Sequence, residues 1–267
     1  MLSPGVYPPG RERALEPSSS SSLDRARSSI RLRFGEQALV SATRLSGAEL
    51  WPSGLALDQL SGVGGLPRGR LSGISGPPGS GKTSVALAVL AHASREMTKS
   101  VVIDPGRGFD PWALAQFQPD LDALVVLQPP AQGMAEAALA LARAGCGLIL
   151  LLGEPPENVL VPLEGAAARS NSLILIVSES FSSPLAHAIS MGFEARPQGW
   201  IEERGQLTGL RTQLTCSRNR LAPPGREIQL EVRWSLGGRA SFECLRAVGQ
   251  ATHRIPGSAP WARSAAV

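Results

Sequence analysis

The sequence predicts an α/β fold: a mainly parallel, twisted sheet covered by helices on both faces, with an antiparallel extension toward the C-terminus. Three observations predict it. Short apolar runs of strand length alternate with helical runs between residues 69 and 177, which is typical of a parallel sheet covered on both sides. A glycine-rich motif lies between the first of these strands and the helix after it. Beyond Trp200 the pattern alternates, as it does in antiparallel strands.

The length and composition predict one sizeable domain with two appendages. The chain has 267 residues, of which 43% are hydrophobic, and this is enough for a buried core. Residues 1–29 are rich in proline, serine and arginine, so they predict a disordered tail. Residues 30–249 are expected to form the core and residues 250–267 a flexible tail. The arginines of the first tail suit either a solvated segment or contact with nucleic acid or a neighbouring subunit.

Cysteine usage and hydropathy predict a cytoplasmic protein. The three cysteines, Cys146, Cys216 and Cys244, are widely spaced and include no C-x-x-C pair, which fits reduced thiols better than disulfides or a zinc site. No apolar run approaches the ~18 residues of a membrane span. The N-terminus also has no apolar signal core. The net charge of +4 permits an anionic partner but is weak evidence for one.

The stretch before the glycine-rich motif predicts short elements. Ile30–Phe34 and Ala38–Ala42 have the composition of strands. Pro52–Leu60 predicts a helix with Ser53 as its N-cap, because a serine hydroxyl can accept a hydrogen bond from the first turn. Gly62–Pro67 predicts a turn that leads into the strand before the motif.

The elements around and after the motif alternate between strand and helix. A strand over Gly69–Ser75 precedes it, and a helix over Val85–Ala93 follows it. The later parallel strands are predicted at Ser100–Asp104, Ala123–Leu127, Gly147–Leu152 and Leu173–Val177. The later helices are predicted at Pro111–Phe117, Gly133–Ala144 and Leu160–Arg169. The antiparallel strands are predicted at Leu207–Cys216 and Glu227–Trp234.

The motif itself has the form G-x-x-x-x-G-K-[ST], which predicts a phosphate-binding loop. Glycines let the backbone approach an anion, and the helix N-terminus presents N–H groups to it. Lys82 supplies a cation to the β- and γ-phosphates, and the Thr83 hydroxyl can ligate Mg²⁺. The expected nucleotide contacts are Gly76, Pro77, Pro78, Gly79, Ser80, Gly81, Lys82, Thr83 and Ser84. The alternative is a chance turn before a helix, but Lys82 is one of only two lysines in an arginine-rich chain.

Several further segments occur in a familiar order. Phe34-Gly35, Gly64-Gly-Leu-Pro-x-Gly-Arg70, Ile103-Asp104 with Phe109-Asp110-Pro111, and Arg218-Asn-Arg-Leu-Ala-Pro223 accompany the phosphate loop. Together they resemble the RecA recombinase family from about Phe34 to Trp234. The resemblance implies a RecA-like P-loop NTPase core that binds ATP and Mg²⁺.

The resemblance fails at the positions that hydrolyse ATP. The family's catalytic glutamate falls on Gly106, and glycine cannot accept a proton. The aspartate that ends the family's Walker-B strand falls on Leu152 or Gly153. The nearest acid, Glu154, either replaces it if the strand extends or is an ordinary loop residue. These changes predict ATP binding without efficient turnover.

Three other positions have roles that only the resemblance implies. Glu179 occupies the place of the γ-phosphate-sensing glutamine, where a carboxylate repels phosphate unless it is protonated or bridged by a metal. Asp110 matches the acid that contacts adenine, with Trp112 nearby as a stacking ring; it also suits a helix N-terminus. Arg218 and Arg220 match a basic pair that reaches the nucleotide of a neighbouring subunit; the alternative is a solvated basic turn.

Direct contact with single-stranded DNA is the weakest implication. The family binds DNA through two loops. The first, between Leu152 and Leu173, is much reduced here, and the second, over Phe181–Gln198, is shortened although it keeps Phe181, His187, Phe193 and Arg196. Phenylalanine and arginine suit stacking and charge neutralisation on a single strand. Core packing of the two rings is the alternative interpretation.

The favoured hypothesis is an ATP-binding accessory protein of bacterial DNA repair and the SOS response, similar to the ImuA-type RecA paralogues. It would hydrolyse ATP weakly or not at all and contact a recombinase, a translesion polymerase assembly or another copy of itself. The rival from the enzyme class is an active DNA-dependent ATPase and strand-exchange recombinase, with Glu154 or Glu179 as the base. A regulatory ATPase of the KaiC-like branch is a third hypothesis.

Overall fold

The structure is a computed structural model that describes residues 49–97, 99–234 and 245–253, together with Arg25, Ser28, Ser29 and Leu32. The chain divides into two units, Met1–Ser46 and Gly47–Val267. The four described residues of the first unit are helical. The strand prediction for Ile30–Phe34 is therefore wrong at Leu32, and the predicted strand Ala38–Ala42 lies outside the described residues.

The second unit contains the α/β fold. Its strands are β1 (Leu50–Trp51), β2 (Leu66–Pro67), β3 (Leu71–Ser75), β4 (Ser100–Ile103), β5 (Leu124–Leu127), β6 (Leu148–Leu152), β7 (Leu173–Ser178), β8 (Met191–Glu203), β9 (Gln206–Asn219), β10 (Arg226–Arg233) and β11 (Leu245–His253). Its α-helices are α1 (Leu57–Ser61), α2 (Lys82–Glu96), α3 (Pro111–Ala115), α4 (Met134–Ala144), α5 (Glu157–Ser170) and α6 (Ser183–Ala188). Two short 3₁₀ turns, Leu121–Ala123 and Ala131–Gly133, precede β5 and α4.

The described strands form a nine-stranded sheet in the order β11-β10-β9-β8-β3-β7-β6-β4-β5 and a separate two-stranded ribbon of β1 and β2. The pairs from β8 through β5 are parallel. The pairs from β8 through β11 are antiparallel. The predicted fold class, a mainly parallel sheet with an antiparallel extension, is confirmed. Strand β3 lies at the centre, so the loop that follows it opens near the middle of the sheet edge.

Both faces of β4, β6 and β7 are buried, and this explains why these strands read as continuous apolar runs. In β6 the side chains of Leu148 and Leu150 pack with α2 on one face, whereas Ile149 and Leu151 pack with α4 and α5 on the other. Successive residues of a strand point to opposite faces, so each must be apolar when helices cover both. The alanines of α4, Ala138 among them, let that helix approach the sheet closely.

The predicted serine cap of the first helix is wrong. Helix α1 begins at Leu57, with Ala56 at the N-cap position. The Ser53 hydroxyl donates instead to Asp58 Oδ1 at 2.7 Å, and Asp58 Oδ2 accepts from the Gly54 N–H at 2.9 Å. Ser53 is fully buried, and its hydroxyl also accepts from the Leu55 N–H at 3.3 Å, so it stabilises the turn before the helix and not the first turn of the helix itself.

The predicted loop over Phe181–Gln198 is also wrong, because this segment forms α6 and the first half of β8. Phe193 is fully buried in β8, and a Cβ on Gly73 would lie 2.7 Å from the Phe181 ring. Arg196 pairs with Glu194 at 2.9 Å. The two rings therefore pack in the core, as the alternative interpretation expected. The other expected DNA loop, between β6 and β7, is largely occupied by α5.

The C-terminal boundary lies further along the chain than predicted. Strand β11 continues through Gln250 to His253 and pairs with β10, so the predicted tail loses its first residues to the sheet. Cys146 and Cys216 are free thiols, and burial raises the pKa of Cys216 to about 11. Across the described part of the chain, none of the helices combines the length and hydropathy needed to cross a bilayer.

Candidate nucleotide-binding site

A cavity of about 540 Å³ opens at the carboxyl ends of the central parallel strands. The loop and helix after β3 contribute Lys82 and Thr83 to it, and the segment after β4 contributes Asp104 and Gly106. The segment after β6 contributes Glu154, and the segment after β7 contributes Glu179. Ligands of open parallel sheets bind at this edge, where consecutive loops diverge.

The phosphate loop between β3 and α2 has little room for side chains on its inner side. A Cβ on Gly76 would overlap the carbonyl oxygen of Ala195 and lie 2.7 Å from Ser80 Oγ. Gly79 and Gly81 have φ values of 72° and 82°, in the left-handed region that favours glycine. The glycines of the motif are therefore required by the geometry of the loop itself.

Helix α2 presents its first backbone N–H groups to the cavity. Gly81 is the N-cap and has no side-chain capping bond among the described residues, and the Val85 N–H donates to the Gly81 carbonyl at 3.0 Å. The N–H groups of Lys82, Thr83 and Ser84 thus precede the first intrahelical hydrogen bond. An anion placed here receives those donors and the positive end of the dipole of a 15-residue helix.

Lys82 lies across the mouth of the loop. Its ammonium donates to the Pro77 carbonyl at 3.1 Å. Burial lowers the pKa of Lys82 below its ordinary value, and the negative charge of Glu179 partly offsets this effect. A phosphate group would supply the counter-charge that the partly desolvated ammonium needs.

Two hydrogen bonds hold the loop to the sheet, and one of them comes from a residue that the sequence did not identify as part of the site. The Thr212 hydroxyl, on β9, lies 2.7 Å from the Ser80 carbonyl oxygen. The Gly76 N–H donates to the Glu179 carbonyl at 3.1 Å. Thr212 is fully buried, which favours a satisfied hydroxyl. No local sequence signal marks Thr212, because only the pairing of β9 brings it beside the loop.

The carboxylate after β4 is that of Asp104, which the sequence predicts only as the last residue of a strand. Asp104 is buried, and its Oδ2 accepts from the Phe109 N–H at 2.8 Å. Gly106 lies beside it and is exposed, and a Cβ added to this glycine would lie 3.8 Å from Asp104 Oδ1. Asp104 is thus held by the turn that follows it, whereas Gly106, onto which the resemblance maps the catalytic glutamate, offers no side chain.

The carboxylates after β6 and β7 lie in the same cavity. Strand β6 ends at Leu152, so the extension that would have placed Glu154 in the strand does not occur. Glu154 is a loop residue whose Oε1 accepts a short hydrogen bond from the Ser182 hydroxyl, and its Oε2 accepts from the Ser182 N–H at 3.2 Å. Glu179 follows the end of β7 and is exposed.

The site fits Mg²⁺ bound together with phosphate. Thr83, Asp104, Glu154 and Glu179 line one cavity, and their hydroxyl and carboxylate oxygens are of the kind that Mg²⁺ prefers. Within the described residues, no three His, Cys, Asp or Glu side chains form a cluster that could hold a metal by themselves. Mg²⁺ generally uses one or two protein ligands with phosphate oxygens and water, so the present residues suit it only when a nucleotide supplies the remainder.

The other residues expected at the site lie apart from this cavity. Asp110 caps α3, with its Oδ1 accepting from the Trp112 N–H at 2.9 Å, and Trp112 is 83% exposed. Arg218 Nε donates to the Ile189 carbonyl at 3.0 Å. Arg220 donates a short hydrogen bond to the His187 carbonyl. The two arginines therefore hold the end of α6 in this structure.

Comparisons with known proteins agree with this fold. A model of the RecA N-terminal domain matches residues 21–151. The RecA protein of Aquifex pyrophilus is 30% identical over an alignment that covers 80% of this chain and 74% of that protein. The RecA protein of Symbiobacterium thermophilum is 27% identical over an alignment that covers 84% of this chain and 77% of that protein. A crystal structure of the RadB recombinase shares the fold at a TM-score of 0.55 and 17% identity, over 74% of this chain and 99% of that one. The chain belongs to the RecA family.

Proposed function

We propose that this RecA-family protein binds ATP with Mg²⁺, hydrolyses it slowly or not at all, and uses the bound nucleotide to control contacts with protein partners in bacterial DNA repair. One observation carries the proposal: Lys82 and Thr83 of an intact phosphate-loop motif line the same cavity as Gly106, Leu152 and Gly153, and the resemblance to the family places its catalytic glutamate on Gly106 and its Walker-B aspartate on Leu152 or Gly153. The site therefore keeps the residues that bind phosphate but lacks the carboxylates that would activate the attacking water.

The carboxylates that remain are poorly placed to replace the missing base. A general base must be within hydrogen-bond reach of the attacking water and able to accept its proton. Asp104 accepts from the Phe109 N–H, and Glu154 accepts from Ser182 through both oxygens. Each of these two carboxylates is engaged in holding a neighbouring segment of the chain.

Glu179 affects the bound state in a different way. A carboxylate beside the γ-phosphate repels it unless Mg²⁺ or a proton lies between them. The Lys82 ammonium supplies opposite charge to both groups. Glu179 therefore weakens the binding of a bare nucleotide and favours one that carries its metal.

The partner in this proposal is a recombinase or a translesion polymerase assembly, as in the ImuA-type RecA paralogues. The support is indirect: the segments expected to contact single-stranded DNA form α5, α6 and β8 instead of long loops. A protein with few phosphate contacts to DNA acts more readily through protein surfaces. Contact with single-stranded DNA is not needed for this function.

A second function has a specific observation in its favour. Glu154 and Glu179 both line the cavity that contains Lys82 and Thr83, so either could reach a water beside a γ-phosphate after a rearrangement. In that case the protein is a DNA-dependent ATPase and strand-exchange recombinase.

Calorimetry and a steady-state ATPase assay test the proposal. We expect wild type to bind ATP with Mg²⁺ and Lys82→Ala to bind about 10- to 100-fold more weakly, because one charge-assisted contact is lost. Lys99→Ala is the matched control, since Lys99 is the other lysine and its ammonium contacts the Asp122 carbonyl, away from the cavity. Turnover should stay near background with and without single-stranded DNA.

The two functions predict opposite results in this assay. Strong DNA-stimulated turnover that Glu154→Gln or Glu179→Gln abolishes would establish the recombinase instead. Capture of partners from DNA-damaged cells then tests the nucleotide dependence. Lys82→Ala bait should lose partners that wild-type bait retains, and equal recovery would show that the site does not control association.

A further inference from the structure

A second cavity, of about 250 Å³, lies against the phosphate loop. The residues of the loop from Gly79 to Ser84 form one side of it, and Trp200, Leu210 and Trp234 form the other. Lys82 and Thr83 line this cavity and the larger one as well. The N-terminus of α2 therefore lies between two openings, one rich in carboxylates and one lined by aromatic rings.

The aromatic wall is held in place by the antiparallel extension. Trp200 on β8 pairs with Leu210 on β9, and the rings of Trp200 and Trp234 meet edge to face with centroids 6.4 Å apart. The indole N–H of Trp234 donates to the Leu207 carbonyl at 3.2 Å, and its backbone N–H donates to Thr208. Trp234 is thus fixed at both its ring and its main chain.

Trp200 is 58% exposed although it adjoins this cavity. A large ring held in a half-open position beside a phosphate site offers a surface for another flat ring. The cavity is smaller than the roughly 300–1,000 Å³ usual for a whole ligand, so it suits one part of a longer molecule whose other part occupies the larger cavity.

The side chains that line the smaller cavity favour stacking on a base over hydrogen bonding to its edge. Of the described residues that line the smaller cavity, none has a carboxylate or amide side chain. Carboxylates and amides are among the side chains that hydrogen-bond to the edge of a particular base, and the hydroxyls and the ammonium that do line the cavity all belong to the phosphate loop. Stacking on an aromatic ring tolerates every base, because each base has a π face.

We infer that Trp200 and Trp234 form the binding surface for the base of the nucleotide, and that this surface accepts adenine and guanine with little discrimination. The inference rests on the proposed function, since the phosphates must occupy the loop for the base to reach the two tryptophans. It reassigns the role that Asp110 and Trp112 were expected to have. Those two residues line neither cavity, and Asp110 is engaged in capping α3.

The test compares ligands that share phosphates but differ in the base. We would measure the affinities of ATP, GTP and inorganic tripolyphosphate, each with Mg²⁺, for wild type and for Trp200→Ala. Loss of one base–aromatic stack should weaken both nucleotides by roughly 5- to 150-fold and leave tripolyphosphate unchanged. Trp200→Phe should restore most of the loss, because it keeps a stacking ring. Trp112→Ala, which removes a still more exposed tryptophan, is the matched control and should have no effect.

The outcomes separate this inference from the proposed function. If wild type binds neither ATP nor tripolyphosphate, the proposed function fails and the inference fails with it. If wild type binds both, but Trp200→Ala retains full affinity for ATP or Trp112→Ala loses it, only the assignment of the base is overturned. A preference of wild type for ATP over GTP by more than about 100-fold would also overturn it, because stacking alone does not distinguish the two so strongly.

Discussion

At the scale of single residues, the site is a balance between one cation and the carboxylates that face it. Lys82 is partly removed from water, which disfavours its charged form, while Glu179 favours that form. The same Glu179 opposes a triphosphate. If the proposed function is correct, Lys82 gains from a bound phosphate, and Glu179 makes the binding of that phosphate depend on its metal.

The alkaline pH dependence of ATP binding follows from this balance. Burial lowers the pKa of Lys82, and bound phosphate raises it again by favouring the ammonium. Affinity should therefore be full below the pKa of the free protein and should fall as the pH rises through it, beginning below the ordinary lysine value of 10.5. In Glu179→Gln the charge that raises the pKa is absent, so the fall should begin at a lower pH, although ATP binds several-fold more tightly near neutrality.

Calorimetry in buffers from about pH 7 to about pH 10 measures both effects. Glu157→Gln is a suitable control, because it removes an exposed carboxylate at the start of α5 that does not line the cavity. A pH profile of Glu179→Gln that coincides with that of wild type would show that the two side chains do not interact.

At the scale of elements, helix α6 links the nucleotide cavity to the basic pair. Its N-cap is Ser182, whose hydroxyl accepts from the Leu185 N–H and also pairs with Glu154 in the cavity wall. Its C-terminal carbonyls accept from Arg218 and Arg220. A change at Glu154 therefore has a direct route to the start of this helix.

A double-mutant cycle tests that link. We expect Ser182→Ala to lower the free energy of unfolding by about 1–2 kcal/mol, because the helix loses its cap and Glu154 loses its partner. Glu154→Gln should cost less, and the double variant should cost measurably less than the sum, since both changes remove one interaction. Denaturant unfolding measures all of them, with Ser183→Ala as the neighbouring control. Strictly additive losses would mean that Glu154 and Ser182 are not coupled.

Prediction from sequence succeeded for the elements whose burial is continuous. Strands β4, β6 and β7 were predicted to within a residue at each end, because helices cover both faces and every position must be apolar. Strand β5 was predicted as closely from its apolar run, although Val125 and Val126 are exposed at this edge of the sheet. Strand β8 was missed. Its buried half alternates apolar and polar residues, and its exposed half contains Pro197 and Gly199, where the pairing with β9 shifts register.

The residues of the candidate site were likewise only partly predictable from the sequence. The phosphate loop was readable because its function depends on residues adjacent in sequence, and the structure needs the same glycines for its own geometry. Thr212 lies 132 residues beyond Ser80 along the chain, and the two tryptophans are also distant from the loop, so only the antiparallel sheet brings them beside it. Single-sequence patterns carry no such information, because they record local periodicity.

At the scale of the whole molecule, the sheet has two parts with different tasks. The parallel half presents the phosphate loop and the carboxylates at one edge. The antiparallel half supports the loop from the side, through Thr212, and supplies the aromatic wall. Arg218 and Arg220 lie where β8 begins and β9 ends, so they connect this second half to α6.

Arg218 and Arg220 are expected to have different roles, the first in holding the fold and the second in contacting a neighbouring copy. Arg218 donates through Nε and Nη2 to two carbonyls at the end of α6, whereas Arg220 is exposed and shares one of these acceptors. Arg218→Ala should therefore lower the free energy of unfolding by about 1–2 kcal/mol with or without nucleotide. Arg220→Ala should leave the unfolding free energy within about 0.5 kcal/mol of wild type, because water can replace its contact.

If the proposed role in assembly is correct, Arg220→Ala also removes any association that ATP with Mg²⁺ induces, while the ATP affinity of the single subunit stays the same. Sedimentation velocity with and without nucleotide measures the association, and Arg220→Lys, which keeps the cation, should retain most of it. If ATP-dependent association survives in Arg220→Ala, both arginines only hold the end of α6 and do not contact a neighbouring copy. Because the cation at position 220 would neutralise phosphate charge on the neighbouring copy, the association should also weaken as salt concentration rises.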